Sequence, residues 1–171
     1  ALLDRELSRV KVEGGSEEDK TIFYTALYHT MIDPRIHEDV DGRYVGGDLK
    51  VHESDPSFVK RTIFSGWDVF RSQMPLYTIV NPEMNSDLIN SLVTMAEQSG
   101  RGYLERWEIV NSYSGCMLGN PALSVIADAY VKGIKTFDVQ KAYDYSIKSS
   151  EHTGNGENGY TSGGLRVSHT L

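Results

Sequence analysis

Two tryptophans in this chain are each followed directly by an acidic residue, a pairing that could bind a sugar. Trp67 precedes Asp68, with Arg71 three positions further on, and Trp107 precedes Glu108. The C–H face of a pyranose ring can stack on an aromatic ring while its hydroxyls bond to charged groups. The alternative is that Trp67 is a core residue and that Asp68 and Arg71 form a solvated ion pair at positions i and i+3.

Glu108 could also take part in acid–base chemistry. A carboxyl group beside an indole ring can be shielded from water, which raises its pKa towards that of a general acid. The alternative is a solvated surface glutamate, which is the usual state of this residue type.

The segment 39–48 combines three aspartates with three glycines. Their carboxylates could bind Ca²⁺ or sugar hydroxyls, although the spacing does not fit an EF-hand loop. The alternative is a hairpin in which aspartate and glycine serve only the turns.

Other catalytic chemistries find little support. Cys116 is the single cysteine, so no intrachain disulfide can form, and with no histidine nearby we predict a small buried residue rather than a nucleophile. The five histidines are scattered without the spacing of a zinc site. Phosphate-binding loops and the serine-hydrolase G-x-S-x-G pattern are also absent from the sequence.

Composition narrows the class of protein further. The 171 residues carry 17 basic and 24 acidic side chains, a net charge of −7. Such an acidic chain does not offer the basic stripe that nucleic-acid binding needs, so no nucleic-acid partner is expected. We expect no membrane span either, because no apolar run approaches the required ~18 residues. The length fits a single domain over residues 1–171.

Apolar spacing predicts a mostly helical chain of the all-α class. Helices are expected before Gly14, from 16 to 33, from 60 to 74, from Pro82 to Gly100, from Pro121 to Gly133, and from 138 to 147. A short β-hairpin or ordered loop is expected over 39–51, and a loop over 150–165. Residues 167–171 are typical of the start of a further helix.

Several strings in this sequence, taken together and in order, resemble glycoside hydrolase family 92, the bacterial exo-acting α-mannosidases. The strings are Phe23–Met31 with Pro34, Asp41–Asp48, Phe64–Arg71 with Pro75 and Leu76, Cys116–Gly119, and Val125–Gly133. The resemblance implies an enzyme that removes terminal α-linked mannose from glycans with inversion and that requires Ca²⁺. It also implies a periplasmic, cell-surface or secreted location.

The resemblance further implies a fragment of a larger protein. Members have an N-terminal β-sandwich followed by an (α/α)₆ barrel, and this chain would be the first part of that barrel. The β-sandwich and the rest of the barrel, with the base carboxylates and most calcium ligands, would then lie outside this sequence. We assign no particular metal ligand within it, and we predict no turnover by the isolated chain.

The resemblance also assigns roles to particular residues. Trp67 and Asp68 match the family's tryptophan–aspartate pair and are expected to contact the terminal mannose, with Trp107 beside them. Arg71 is expected to bind the sugar as well; the alternative is that it only orients Asp68. Glu108 follows Trp107 as in many members and is the predicted general acid. Many members instead carry a glutamate in a G-E-T string at a place where this chain has Tyr113. The alternative functions are a mannosidase of another linkage (α-1,3, α-1,4 or mannosyl-phosphate), a non-catalytic carbohydrate-binding domain, or a helical interaction protein.

Overall fold

The structure is a computed structural model that describes residues 2–114, 116–117 and 119–151. The expected helix start at 167–171 and nearly all of the expected loop at 150–165 lie outside these residues. Within them, helices form most of the regular structure. Their bounds are α1 Leu2–Leu7, α2 Glu17–Thr30, α3 Gly66–Val69, α4 Gln73–Val80, α5 Pro82–Gln98, α6 Pro121–Val131 and α7 Val139–Glu151. None of the described helices is long and apolar enough to cross a membrane.

Helix α5 lies at the centre of the hydrophobic core. Its inner face buries Leu88, Ile89 and Leu92 almost completely, and α4, α6 and α7 all pack against it. Phe64, also fully buried, joins the same core from outside the helices. The apolar spacing at i, i+3 and i+4 along α5 produces this buried stripe.

Local capping signals account for the helix starts that the sequence predicts correctly. Ser16 and Asp19 form a reciprocal capping box at the start of α2. At α5, the Asn81 side chain accepts a hydrogen bond from the Met84 amide at 3.2 Å, and Pro82 takes the first helical position.

The all-α prediction is too simple, because seven short strands join the described helices. They are β1 Arg35–Ile36, β2 Arg43–Val45, β3 Val51–Glu53, β4 Arg61–Thr62, β5 Phe64–Ser65, β6 Trp107–Ile109 and β7 Ser112–Tyr113. All pairings are antiparallel and form three small sheets: β1–β4, β2–β3 and β5–β6–β7.

The predicted helix over 60–74 is wrong. This segment forms β4, β5 and the single-turn helix α3, and α4 begins only at Gln73. Ile63 separates the two strands with a φ of 70°, a left-handed conformation that a regular helix cannot contain. Interactions with distant parts of the chain therefore override the local helical spacing.

The hairpin predicted near residues 39–51 is present as β2 and β3, with Tyr44 opposite His52. Two of its aspartates bond to the backbone of their own turns. Asp41 accepts from the Arg43 amide at 3.2 Å, and Asp48 accepts from the Lys50 amide at 3.1 Å. This supports the interpretation that aspartate serves the turns here.

Gly66 provides a test of the close packing where β5 joins α3. A Cβ at this position would lie 2.4 Å from the Arg106 carbonyl oxygen and 2.6 Å from Pro121 Cγ. We expect Gly66→Ala to lower the free energy of unfolding of the intact protein by about 1–3 kcal/mol, because the backbone oxygen cannot easily move aside. Urea denaturation would measure this, with the exposed-helix change Ser124→Ala as the control. Equal stabilities of the two variants would contradict the packing described here.

Candidate functional site

The three-stranded sheet β5–β6–β7 has two chemically different faces. Phe64 lies opposite Glu108, which lies opposite Tyr113, while Ser65 lies opposite Trp107. Side chains alternate along a strand, so Phe64, Glu108 and Tyr113 point to one face of the sheet. Ser65 and Trp107 point to the other face. We call the face with fully buried Phe64 the inner face and the face with Ser65 and Trp107 the outer face.

On the outer face, hydrogen bonds connect Trp107 to Asp68. The Trp107 indole Nε1 donates to the Ser65 hydroxyl oxygen at 2.5 Å, and that hydroxyl donates to Asp68 Oδ2. Asp68 lies in α3, directly after the strand that carries Ser65. The serine thus holds an exposed carboxylate at a fixed position relative to the indole.

Trp67 and Arg71 extend this outer-face cluster. The Arg71 guanidinium carbon lies 4.1 Å from the centroid of the Trp67 ring, within the range of a cation–π interaction. The indole remains 40% exposed. The expected Asp68–Arg71 ion pair is not formed: Arg71 lies over Trp67, and Asp68 bonds to Ser65. The four residues predicted to contact sugar thus form two pairs: Arg71 with Trp67, and Asp68 with Trp107 through Ser65.

Glu108 lies on the inner face, where it is 2% exposed. Its carboxylate accepts three hydrogen bonds: from the Thr62 hydroxyl at 2.5 Å, from the Ile63 amide at 2.9 Å and from the Asn111 amide at 2.5 Å. These partners occupy both carboxylate oxygens. Adjacent strand positions point in opposite directions, so Glu108 does not share the face that carries Trp107. The assignment of Glu108 as general acid stays a prediction, and this geometry favours a structural role instead.

Glu108 and Thr62 also hold three backbone positions that are sterically unfavourable. Ile63, Val110 and Asn111 have φ values of 70°, 49° and 58°, uncommon for residues other than glycine and most costly for β-branched ones. Glu108 accepts hydrogen bonds from the Ile63 and Asn111 amides. The Thr62 hydroxyl oxygen accepts a hydrogen bond from the Val110 amide at 2.7 Å. These two side chains thus fix the hairpin turn that carries β6 into β7.

A buried lysine lies in the same polar network. Lys60 is 1% exposed, and its Nζ donates to Asn111 Oδ1 at 3.0 Å and to the Ser91 carbonyl at 3.3 Å. Burial lowers the pKa of Lys60 to about 8, and attraction to the Glu108 carboxylate opposes that shift. Glu108 thus also supplies the negative charge that faces a buried cation.

A second group of charged residues surrounds Tyr113 on β7. The guanidinium carbons of Arg101 and Arg106 lie 4.9 and 5.8 Å from the centroid of its ring. Burial raises the pKa of the Tyr113 hydroxyl, against the influence of Arg106. Nearby, Glu105 is fully buried, and its Oε1 lies 3.4 Å from Arg101 Nη1. Burial raises the pKa of Glu105 to about 8, opposed by Arg101 and reinforced by Glu108.

Glu105 should make stability depend on pH. Its pKa is about 8 in the folded protein, above its ordinary value of 4.5. Between these values the folded state binds more protons than the unfolded state, so the free energy of unfolding falls as pH rises. We expect Glu105→Gln to reduce the loss of stability between pH 5 and pH 8 by about 2–4 kcal/mol.

Urea denaturation of the intact protein at the two pH values would measure this change. Glu53→Gln is the control, since Glu53 is an exposed glutamate on β3. Lys60 does not interfere, because its lowered pKa makes stability rise with pH only above about pH 8. An unaltered pH dependence in Glu105→Gln would show that Glu105 ionises normally.

Two further sequence-based predictions can be compared with the structure. Cys116 is an exposed free thiol, so the prediction that it is buried is wrong. Among the described residues, no group of three or more histidine, cysteine, aspartate or glutamate side chains is arranged to hold a metal ion. The described part of the chain therefore does not fit a self-contained calcium site.

Comparison with known proteins places this chain in a family of glycoside hydrolases. The family described as the glycosyl hydrolase family 92 catalytic domain matches residues 4–170. The chain belongs to glycosyl hydrolase family 92. No curated protein matches it significantly.

Solved structures agree with this assignment. The family 92 α-mannosidase BT3965 from Bacteroides thetaiotaomicron aligns with a TM-score of 0.84 and 31% identity over 90% of this chain, and it has also been solved in complex with mannoimidazole. The family 92 inverting mannosidase BT2199 from the same organism aligns with a TM-score of 0.84 and 30% identity over 99% of the chain. The family 92 hydrolase ccman5 aligns with a TM-score of 0.70 and 25% identity over 91% of the chain. The chain spans only 20–23% of the length of these proteins.

Proposed function

We propose that this chain is part of a longer enzyme that hydrolyses terminal α-linked mannose from glycans with inversion. The observation that carries the proposal is the outer-face cluster, in which Ser65 links Asp68 to Trp107 and Arg71 lies over the neighbouring Trp67. Family membership and the α-mannosidases among the matched structures support the same substrate class. In this proposal the helices contribute the first part of an (α/α)₆ barrel.

The cluster offers the groups that a mannose ring needs. The exposed indole of Trp67 provides an apolar surface for the C–H face of the sugar. The Asp68 carboxylate accepts hydrogen bonds from sugar hydroxyls. It keeps its orientation because the Ser65 hydroxyl donates a hydrogen bond to its Oδ2. The Arg71 guanidinium covers one face of Trp67 and donates to sugar oxygens at the rim. Trp107 borders the same site through its bond to Ser65.

Inversion requires an acid and a base on opposite sides of the scissile bond, with their carboxyl groups ~6.5–9.5 Å apart. Because Glu108 faces inward and accepts hydrogen bonds at both carboxylate oxygens, we place both groups outside the described residues. We also place the calcium ligands mainly outside this chain, since the described residues do not form a cluster for them. We expect the isolated chain to show no turnover, and the whole enzyme to act in the periplasm, at the cell surface or after secretion.

A second candidate function is hydrolysis of a mannosyl-phosphate linkage. The supporting observation is Tyr113, which stands where many family members carry a glutamate. Phosphate is a good leaving group that needs no proton from an acid, so this linkage could be hydrolysed without that glutamate. A high rate on mannosyl phosphate with a low rate on mannobiose would support this candidate over the first.

The test is mannose release from α-1,2-mannobiose by the intact enzyme, followed by NMR with and without EDTA. The proposal predicts release that EDTA abolishes, that added Ca²⁺ restores, and that yields β-mannose first. α-Mannose as the first product would contradict inversion, and full activity in EDTA would contradict the calcium requirement. If mannose binds but is not released from any linkage, the domain is a carbohydrate-binding domain without catalytic activity.

A further inference from the structure

Two helices of this chain are preceded by a serine that bonds to an aspartate three positions later: Ser16 with Asp19 at α2, and Ser65 with Asp68 at α3. In both pairs the serine hydroxyl donates a hydrogen bond to the aspartate Oδ2. At α2 the same hydroxyl oxygen also accepts from the Asp19 amide at 3.1 Å, which is the usual capping role of serine. Among the described residues, the Ser65 side chain forms no such capping bond at α3.

At Ser65, the indole of Trp107 takes the place of the helix amide as hydrogen-bond donor. An indole N–H can only donate, an ionised carboxylate can only accept, and a hydroxyl has a single proton. The direction of the chain of bonds is therefore fixed: Trp107 Nε1 donates to Ser65 Oγ, and Ser65 Oγ donates to Asp68 Oδ2. A hydroxyl that accepts a hydrogen bond becomes a stronger donor, so the indole strengthens the bond that holds Asp68.

The two ends of this chain of bonds differ in how firmly the backbone holds them. Trp107 is half-buried on β6, the central strand of the three-stranded sheet, and Ser65 takes its only polar atom. Asp68 is exposed on α3, a helix of four residues that has little stability of its own. The sheet therefore supplies the fixed point, and the serine transmits it to the carboxylate.

We infer that Trp107 is a positioning residue, which orients the Asp68 carboxylate through Ser65 and makes no sugar contact of its own. Asp68 then offers Oδ1 to sugar hydroxyls while Oδ2 stays bonded to Ser65. The inference rests on the proposed function and deepens it, because it assigns Trp107 a role different from that of Trp67. A tryptophan that stacks on sugar acts through its ring face, whereas Trp107 acts through Nε1, and phenylalanine can replace only the first of these.

A double-mutant cycle in the intact enzyme tests the inference, with kcat/KM for α-mannoside hydrolysis as the readout. Trp107→Phe keeps an aromatic ring and removes the N–H donor. We expect it to lower kcat/KM about fivefold in the parent, but less than about twofold in a Ser65→Ala background that is itself about tenfold less active. Losses that multiply would overturn the inference, because Trp107 would then act independently of Ser65. Parental activity of Trp107→Phe would overturn it as well.

Two further variants separate positioning from a general loss of structure. Ser65→Thr retains the hydroxyl and is expected to recover most of the activity that Ser65→Ala loses. Ser16→Ala is the matched control: it removes the corresponding serine–aspartate bond at α2, so we expect a lower urea midpoint with kcat/KM within about twofold of the parent. Failure of threonine to restore activity, or an equal loss of kcat/KM in Ser16→Ala, would contradict the inference.

NMR of the tryptophan indole N–H groups tests the same coupling without turnover. The Trp107 signal is assigned by its disappearance in Trp107→Phe or, if that variant does not fold, in Trp107→Tyr. We expect Asp68→Ala to move this proton signal upfield in the parent and to leave it unchanged in a Ser65→Ala background. An indole signal that Asp68→Ala does not move in the parent would overturn this inference alone. Absence of mannose release by the parent enzyme would instead count against the proposed function.

Discussion

Replacing Glu108 by alanine is expected to lower the free energy of unfolding by about 3–5 kcal/mol, the range found when one partner of a buried charged network is removed. The Ile63 and Asn111 amides would lose their acceptor, and the Thr62 hydroxyl would lose the same carboxylate. Buried Lys60 would also lose the negative charge that favours its protonated form. Urea denaturation of the intact enzyme would measure the loss, with Glu53→Ala as an exposed control.

Kinetics of Glu108→Gln separate this structural role from acid catalysis. Loss of a general acid slows hydrolysis of mannosides with poor leaving groups by ~10²–10⁴-fold and spares activated aryl mannosides. A structural residue affects both substrates equally, so we expect the ratio of the two kcat/KM values to stay within a few-fold of the parent. A selective loss on the poor leaving group would instead show that Glu108 donates the proton.

Asp68→Asn is expected to lower kcat/KM for mannoside hydrolysis by about 10–100-fold with little effect on stability. A hydrogen bond to a charged group contributes ~1.5–3 kcal/mol, and the amide keeps the shape of the side chain while removing its charge. Because Asp68 is exposed, the free energy of unfolding should change by less than about 0.5 kcal/mol. Steady-state kinetics of the intact enzyme, together with urea denaturation, measure both quantities.

The matched control for Asp68 is Asp144→Asn. Asp144 is an exposed carboxylate on α7 that accepts a hydrogen bond from Gln140, as Asp68 accepts one from Ser65. If both variants hydrolyse mannosides at the parental rate, Asp68 does not contact the sugar. A fall in kcat/KM that follows a large loss of stability would show that Asp68 supports the fold and not the substrate.

The helices could be predicted where the signals for them are local. Ser16 with Asp19, and Asn81 with Pro82, mark helix starts through contacts between residues no more than three positions apart. The apolar stripe of α5 likewise depends only on spacing within one segment. These elements needed no knowledge of the rest of the chain.

The strands β1, β4, β5 and β6 could not be predicted, because their pairing depends on contacts between residues more than 20 positions apart. β5 pairs with β6 across 42 positions at Ser65 and Trp107, and β4 pairs with β1 across 27 at Thr62 and Arg35. Each strand has only two or three residues, too few for alternation to show. The apolar spacing over 60–74 therefore suggested a helix, while long-range pairing with β1 and β6 decided the structure.

The candidate site was predictable in its residue types and not in its geometry. Trp67, Asp68, Arg71 and Trp107 were all predicted as site residues, and the structure joins Arg71 to Trp67 and Asp68 to Trp107. The link through Ser65 was missed, because it joins residues that are distant in sequence. The role of Glu108 depends on which side of a strand it occupies, and the predicted elements did not include that strand.

The alternation along β6 has a consequence for how this protein can change during evolution. Under the proposed function, substitutions at Trp107, on the outer face, would alter sugar recognition at little cost to the core, whereas those at Glu108 would disturb the network that holds two backbone segments. Tolerance to mutation should therefore alternate from one residue to the next along this strand. Libraries intended to shift linkage preference would retain more folded members if they varied Ser65 and Trp107 and left Thr62 and Glu108 unaltered.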